Sequence, residues 1–276
     1  MSAAAAPGGG APGGGTGRRW LGLYVLAYLV FLYLPVALIP LFSFNDSIQA
    51  AFPLQGFTLG WYRGLAGNGA LRAALGTSLL IGLSAAFLAT LCGLTIAYAE
   101  LAVGSRRARL VALLARMPIL IPGVVVGIAL LVVVNLIGLG PSRLAIVLGH
   151  VLVALPTTVI VIRGSLRAVP PSLPEAARDL GASEAAVFVR IMLPLALPAA
   201  ASAFMLAFLT SFDEFIVAFF LAGTDPTLPL YIWSQLRFPK SLPTVMALGT
   251  AILAASVLIA AAAEILRRRG LRRLPS

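Results

Sequence analysis

Six apolar runs, each close to the length that crosses a bilayer, limit what this 276-residue chain can fold into. A helix needs ~20 consecutive apolar residues to span the hydrocarbon. Such runs lie near residues 20–42, 73–99, 111–137, 144–162, 199–222 and 244–266. Backbone polar groups in lipid must be satisfied within the segment itself, so the runs predict helices and an all-α integral membrane protein with six spans. Only 11% of residues are charged and the mean hydropathy is +1.02, which excludes an ordinary soluble enzyme. The formal charge of +11 would point to nucleic acid if it formed a basic face on a soluble domain. Here the basic residues stand between apolar runs, so the charge reads as membrane topology and no nucleic-acid partner is expected. Cys92 is the single cysteine, which leaves no internal disulfide framework or multi-cysteine metal site; no metal site is expected.

Residues 1–17 are small, Gly/Ala-rich and without charged side chains, and read as a disordered tail ahead of a membrane domain at 18–276. Arg18 and Arg19 before a long apolar run resemble a secretion signal, but the run exceeds a signal core and reads as a retained first span. With the N-terminus in the cytoplasm, fifteen of the twenty basic residues fall on the inside; Arg63, Arg72, Arg143, Arg237 and Lys240 fall outside. The positive-inside rule then predicts both termini in the cytoplasm and one long cytoplasmic loop, 163–198. Gly76, Gly82, Gly93, Gly123 and Gly127 permit close helix contacts, and Pro35, Pro40, Pro118, Pro122 and Pro156 predict kinks.

The loop reads RGSLRAVPPSLPEAARDLGASEAAVFVRIMLPLALPA, two short helices joined at Gly181. Ser172 and Glu175 have the spacing of a capping box, and Pro174 falls in the first turn, where it costs no helical bond. Ala176, Ala177 and Leu180 share a small apolar face; Gly181 suits a left-handed helix end, and Ser183 can cap a second helix running to Pro194. A helix pair of this kind could receive a partner or simply lie on the headgroups, and the pattern leaves both open.

Glu175-Ala176-Ala177, three residues, Gly181, nine residues, then Ile191-x-Leu193-Pro194 is similar to the EAA loop of permease subunits in binding-protein-dependent ABC importers, with every fixed position present. The resemblance implies a type I importer permease (MetI-like) architecture in a bacterial cytoplasmic (inner) membrane. It implies that Glu175, Ala176, Ala177, Leu180, Gly181, Ile191, Leu193 and Pro194 belong to an element coupling the chain to a cytoplasmic ATPase. It also implies its partners: a second permease subunit, two ATPase subunits that bind ATP and magnesium, and an extracytoplasmic solute-binding protein. The segments YLPVALIPLFSFNDS, GFTLGWY and SFDEFIVAFFLAGTDPTLPLYIWSQLR resemble the spermidine/putrescine branch, which implies polyamine cargo moved by alternating access. A phosphate-binding loop needs a lysine after glycine, and the only lysine is Lys240 in RFPKS, so this chain is not the P-loop ATPase. No cofactor is expected in the chain itself.

The fifth run contains the costliest residues, Asp213 and Glu214, deep in an apolar stretch. As one helix from Ala199 to Gly223, it would place Asp213 ~21 Å from the inner end and ~15 Å from the outer end. Thr210, Asp213 and Glu214 would share one face, joined by Phe220, with Phe204, Phe208, Phe212, Phe215 and Phe219 on the other. The acidic face fits a cation pathway lined by Thr210, Asp213, Glu214 and Phe220, or a hydrogen-bonded gate; the phenylalanine stripe fits lipid or helix packing. His150 fits a packing role or the route, Glu100 and Glu264 fit arginine-paired helix ends, and the outer segment with Tyr231, Trp233 and Phe238 fits a short interfacial helix. Another cationic or zwitterionic solute, an ion channel, a proton-coupled carrier and a membrane enzyme remain the alternatives.

Overall fold

The computed structural model of the chain describes residues 14–102 and 104–272. Of the expected tail, residues 1–13 lie outside that range, and α1 (Gly14–Ser43) begins at residue 14. A folded turn then hangs on Asn45, whose carbonyl accepts from Trp61 Nε1 and whose Oδ1 accepts from the Gln55 amide, both at 2.9 Å. There follow α2 (Gly60–Gly67), α3 (Gly69–Ala102), α4 (Arg106–Arg116), a 3-10 turn at Met117–Leu120, and α5 (Gly123–Leu136). Next come α6 (Arg143–Leu166), the loop helices α7 (Ser172–Asp179) and α8 (Glu184–Val187), a π turn at Phe188–Met192, and α9 (Leu193–Phe212). The chain ends in α10 (Ile216–Leu221), α11 (Leu228–Gln235) and α12 (Leu242–Arg272). Among the described residues every regular element is helical, and one isolated bridge pairs Asn45 with Phe57.

Three layers of small and branched side chains fix how the spans run. At the end that carries the 163–198 loop, Leu94 and Ala97 of α3 pack with Ile162 and Leu166 of α6 and Ala196 and Ala200 of α9. Midway, Ala86 and Ala89 meet Ala154 and Ala207. At the far end, Ile81 and Ala85 meet Ala145, Ile146, Val217 and Leu221. Numbering in α3 and α6 therefore rises in the same direction, and α9 with α10 runs against them. Two consecutive parallel spans need a crossing between them, so the segment 106–136 must return the chain through the membrane. Among the described residues five helices are long and apolar enough to cross, and with the bent pair taken as one span there are six.

The third expected span, a helix over 111–137 kinked at its prolines, is bent further than a kink: its two halves meet at 114°. Pro118 and Pro122 remove two backbone donors, and Pro122 pushes Ile121 into extended backbone (φ −99°, ψ 130°), where a helix cannot continue. Pro35, Pro40 and Pro156 sit inside uninterrupted helices. Several glycines do bring helices together. A Cβ on Gly93 would overlap Thr158 Oγ1, which donates to the Ala89 carbonyl at 2.9 Å, and one on Gly127 would stand 2.5 Å from the Phe220 ring. Gly76, by contrast, has nothing within 4 Å of such a Cβ and serves no close contact within the chain. Glu100 ties the loop end together, meeting Arg163 at 2.8 Å and Arg116 at 3.3 Å, while Glu264 pairs with Arg267 and Arg268. Helix α1 rests on α12 and is otherwise exposed.

Candidate functional site

The loop helix α7 starts one residue earlier than the capping box requires. Pro171 already has helical dihedrals (φ −59°, ψ −27°) and stands as the N-cap, so Ser172 lies in the first turn and makes no capping bond. The Glu175 amide instead donates to the Pro171 carbonyl at 3.2 Å. The other end is as expected. Gly181 has φ +83°, its amide donates to the Arg178 carbonyl (2.8 Å), and the Ala182 amide donates to that of Ala177 (3.0 Å), a Schellman closure. Ser183 caps α8 by accepting from the Ala186 amide at 3.3 Å. Arg178 then clamps α7 to α8 through a two-pronged pair with Glu184, and the hydrogen bond to that carboxylate raises the guanidinium above its ordinary pKa.

The small apolar face divides in two. Ala177 turns inward against the loop-end core, whereas Glu175, Ala176 and Leu180 point outward, and Leu180 is 90% exposed. Ile191 and Leu193 pack inward beside Met192, and Pro194 opens α9.

The second loop helix does not stop at Pro194. It runs from Glu184 through the π turn into α9 as one 29-residue helix ending at Phe212. Pro194 and Pro198 leave the Arg190 and Pro194 carbonyls without helical donors, and the widened turn, in which the Leu193 amide reaches the Phe188 carbonyl, takes up that misfit. A rod of ~43 Å, at ~1.5 Å per residue, thus joins the exposed loop to the acidic pair.

At that pair the fifth span breaks, which corrects the picture of a continuous helix over 199–222. Asp213 is the C-cap of α9, and its amide bonds back to the Leu209 carbonyl at 3.1 Å. Glu214 stands just ahead of the next helix, and its Oε1 accepts from the first-turn Val217 amide at 3.0 Å. Ser211 and Asp213 are both weak helix formers, and the helix ends at Phe212 between them. The two carboxylates have separate surroundings, one spent on a cap and one exposed.

Asp213 opens onto a cleft of ≈ 330 Å³ lined by Phe212, Phe215, Ile232, Trp233, Leu236 and Ile252 together with smaller contributions. The phenylalanine stripe therefore does not point away from the acid throughout: the break swings Phe215 beside it, and the rings of Phe215 and Phe219 stand 6.0 and 5.7 Å from Trp233. Phe208 keeps a packing role against Gly82. Phe220, expected on the acidic face, packs on Gly127 instead, and the Thr210 hydroxyl donates to the Leu206 carbonyl at 3.0 Å. Trp233 comes from α11, outside the six apolar runs, and its ring carries the Arg237 guanidinium 4.2 Å from its centre. Sequence reasoning gave Trp233 only an interfacial role, because distance along the chain hid its neighbourhood with Asp213. His150, 1% exposed, holds Ser211 Oγ at 2.7 Å and pins α6 to the last turn before the break, the packing role. Among the described residues no group of three or more His, Cys, Asp or Glu is placed to hold a metal ion.

The chain is similar to the spermidine/putrescine transport system permease protein PotC of Escherichia coli (strain K12), 33% identical over 253 residues that cover 91% of this chain and 95% of the relative. It is 34% identical to the putrescine transport system permease protein PotI of the same organism, over 86% of each chain. Among solved structures, a bacterial alginate ABC transporter in complex with its alginate pentasaccharide-bound periplasmic protein shares the fold. That match has a TM-score of 0.64 at 18% identity and covers 94% of this chain and 96% of that one. The binding-protein-dependent transport system inner membrane component family matches residues 89–272, from the middle of α3 to the end of α12. Both the loop and the acidic break lie within that match, and the chain belongs to this family of multi-pass inner-membrane transport components.

Proposed function

We propose that this chain is a permease subunit of an ATP-driven importer that moves polyamines inward by alternating access. The observation that carries the reading is the continuous 29-residue helix between the exposed loop and the Asp213 cleft. Motion applied at Ala176 and Leu180 passes through the Arg178–Glu184 pair into that helix, which ends where a membrane carboxylate stands beside aromatic rings. The arginine distribution supports a cytoplasmic loop and cytoplasmic termini. Partner ATPases dock there, bind ATP and magnesium, and close; a second permease completes the pathway, and an extracytoplasmic solute-binding protein delivers cargo. Asp213 then replaces water around a protonated amine while Phe215 and Trp233 meet its methylenes and charge, contacts weak enough to release it. The cargo class follows that of the PotC and PotI relatives, which match about nine-tenths of the chain. A channel or proton-coupled carrier would leave Leu180 with nothing to dock.

Calorimetric titration of the solute-binding protein that co-purifies with this chain checks the cargo. Micromolar or tighter binding of spermidine or putrescine is expected, and preference for a neutral or anionic solute would overturn the polyamine assignment.

A further inference from the structure

Helix α4 has a charge pattern and a position that the transport reading does not use. Its first turn carries Arg106 and Arg107, with Arg109 next, all exposed, and no acidic residue. Three cations at the positive end of a helix dipole repel the dipole and each other, an arrangement that an anion would relieve. Among the described residues none of the three belongs to a salt bridge. Ser105 caps the start of the helix by accepting from the Ala108 amide at 3.1 Å.

The position of α4 says what kind of anion is at hand. Arg116, at its far end, is held by Glu100 beside Arg163, which fixes the helix at the loop end of the bundle. The 114° bend lays α4 nearly across α5, which runs along the bundle beside α10. Only Ala112 and Ala115 face inward and are buried; on the opposite side Leu110, Leu113 and Leu114 are 53, 48 and 56% exposed. An exposed apolar face set crosswise at the loop end of the bundle, with arginines at one end, has the make-up of an interfacial helix.

We propose that α4 binds anionic phospholipid, with Arg106, Arg107 and Arg109 on the phosphate-bearing headgroup and Leu110, Leu113 and Leu114 in the acyl layer. The leucines distinguish this from a site for free phosphate, since a soluble anion would leave them uncovered. The proposal stands independently of the cargo and of the ATPase.

The test uses the full chain, with whatever subunits co-purify, in lipid nanodiscs. Cys92 is replaced (C92S) and a bimane fluorophore placed through L113C. Brominated phosphatidylglycerol should quench the label about fivefold more effectively than brominated phosphatidylcholine at equal mole fraction, as expected when several arginines face anionic headgroups. R106Q/R107Q/R109Q should bring the two lipids to parity while quenching by phosphatidylcholine persists, showing that the helix is still seated. R106K/R107K/R109K should keep the preference. Absence of quenching by either lipid, as when protein covers the face, would overturn the proposal. So would parity in the chain with its own arginines, or a preference that survives the glutamine substitutions.

Discussion

Leu180→Asp should leave the chain inserted and folded and remove its association with the ATPase. Leu180 ends α7 and, 90% exposed, is the most exposed large apolar side chain of the 163–198 loop. Burying a leucine in a partner's groove contributes about 1.5–3 kcal/mol, so even Leu180→Ala should weaken association about 10- to 100-fold. An aspartate adds the cost of burying a charge. Ala176→Trp should also block docking, because Ala176 shares the outward side. Ala177→Trp should behave differently: its side chain lies against the loop-end core, so bulk there unseats α7 and lowers the thermal stability of the chain itself. Co-purification of the ATPase with each variant, alongside the melting temperature of the membrane complex, separates the two effects.

Asp213→Asn should cut polyamine uptake at least about tenfold without reducing assembled complex, since a hydrogen bond to a charged group contributes about 1.5–3 kcal/mol. Glu214→Gln should stay within about twofold, because the amide oxygen can still accept from the Val217 amide where Glu214 now does. Glu214→Ala should cost about 1 kcal/mol at the start of α10, in line with the loss of a helix cap. Uptake by the four proteins, normalised to complex in the membrane, checks the assignment. Loss with Glu214→Gln and retention with Asp213→Asn would exchange the two roles.

The residues that failed to show their surroundings in the sequence failed for physical reasons. Apolar length located five long helices and the bent pair, and the Gly181 turn and Ser183 cap followed from local chemistry that tertiary packing did not disturb. Ser172 misled because Pro171 is itself compatible with helical dihedrals, which moves the start by one residue. Pro118 and Pro122 signalled a kink but not a 114° turn, and the break at Asp213–Phe215 was hidden by an apolar run that continues through it. Hydropathy reports burial in lipid, not helical continuity. Treating 199–222 as one helix carried a 100° step per residue across the gap, which sent Phe215 to the wrong side and Phe220 to the acidic one. The cleft's Trp233 and Ile252 stand on later elements, and a single sequence holds no local signal for such neighbours.

The central claim is that ATP hydrolysis by a docked partner, received at α7, drives cargo past Asp213. Accumulation of radiolabelled putrescine in proteoliposomes holding this chain, its second permease, the ATPase and the binding protein tests it most directly. Accumulation should require both ATP and binding protein, persist when a protonophore collapses the proton gradient, and disappear with Leu180→Asp. Uptake that proceeds without ATP, or that collapses with the proton gradient, would contradict it.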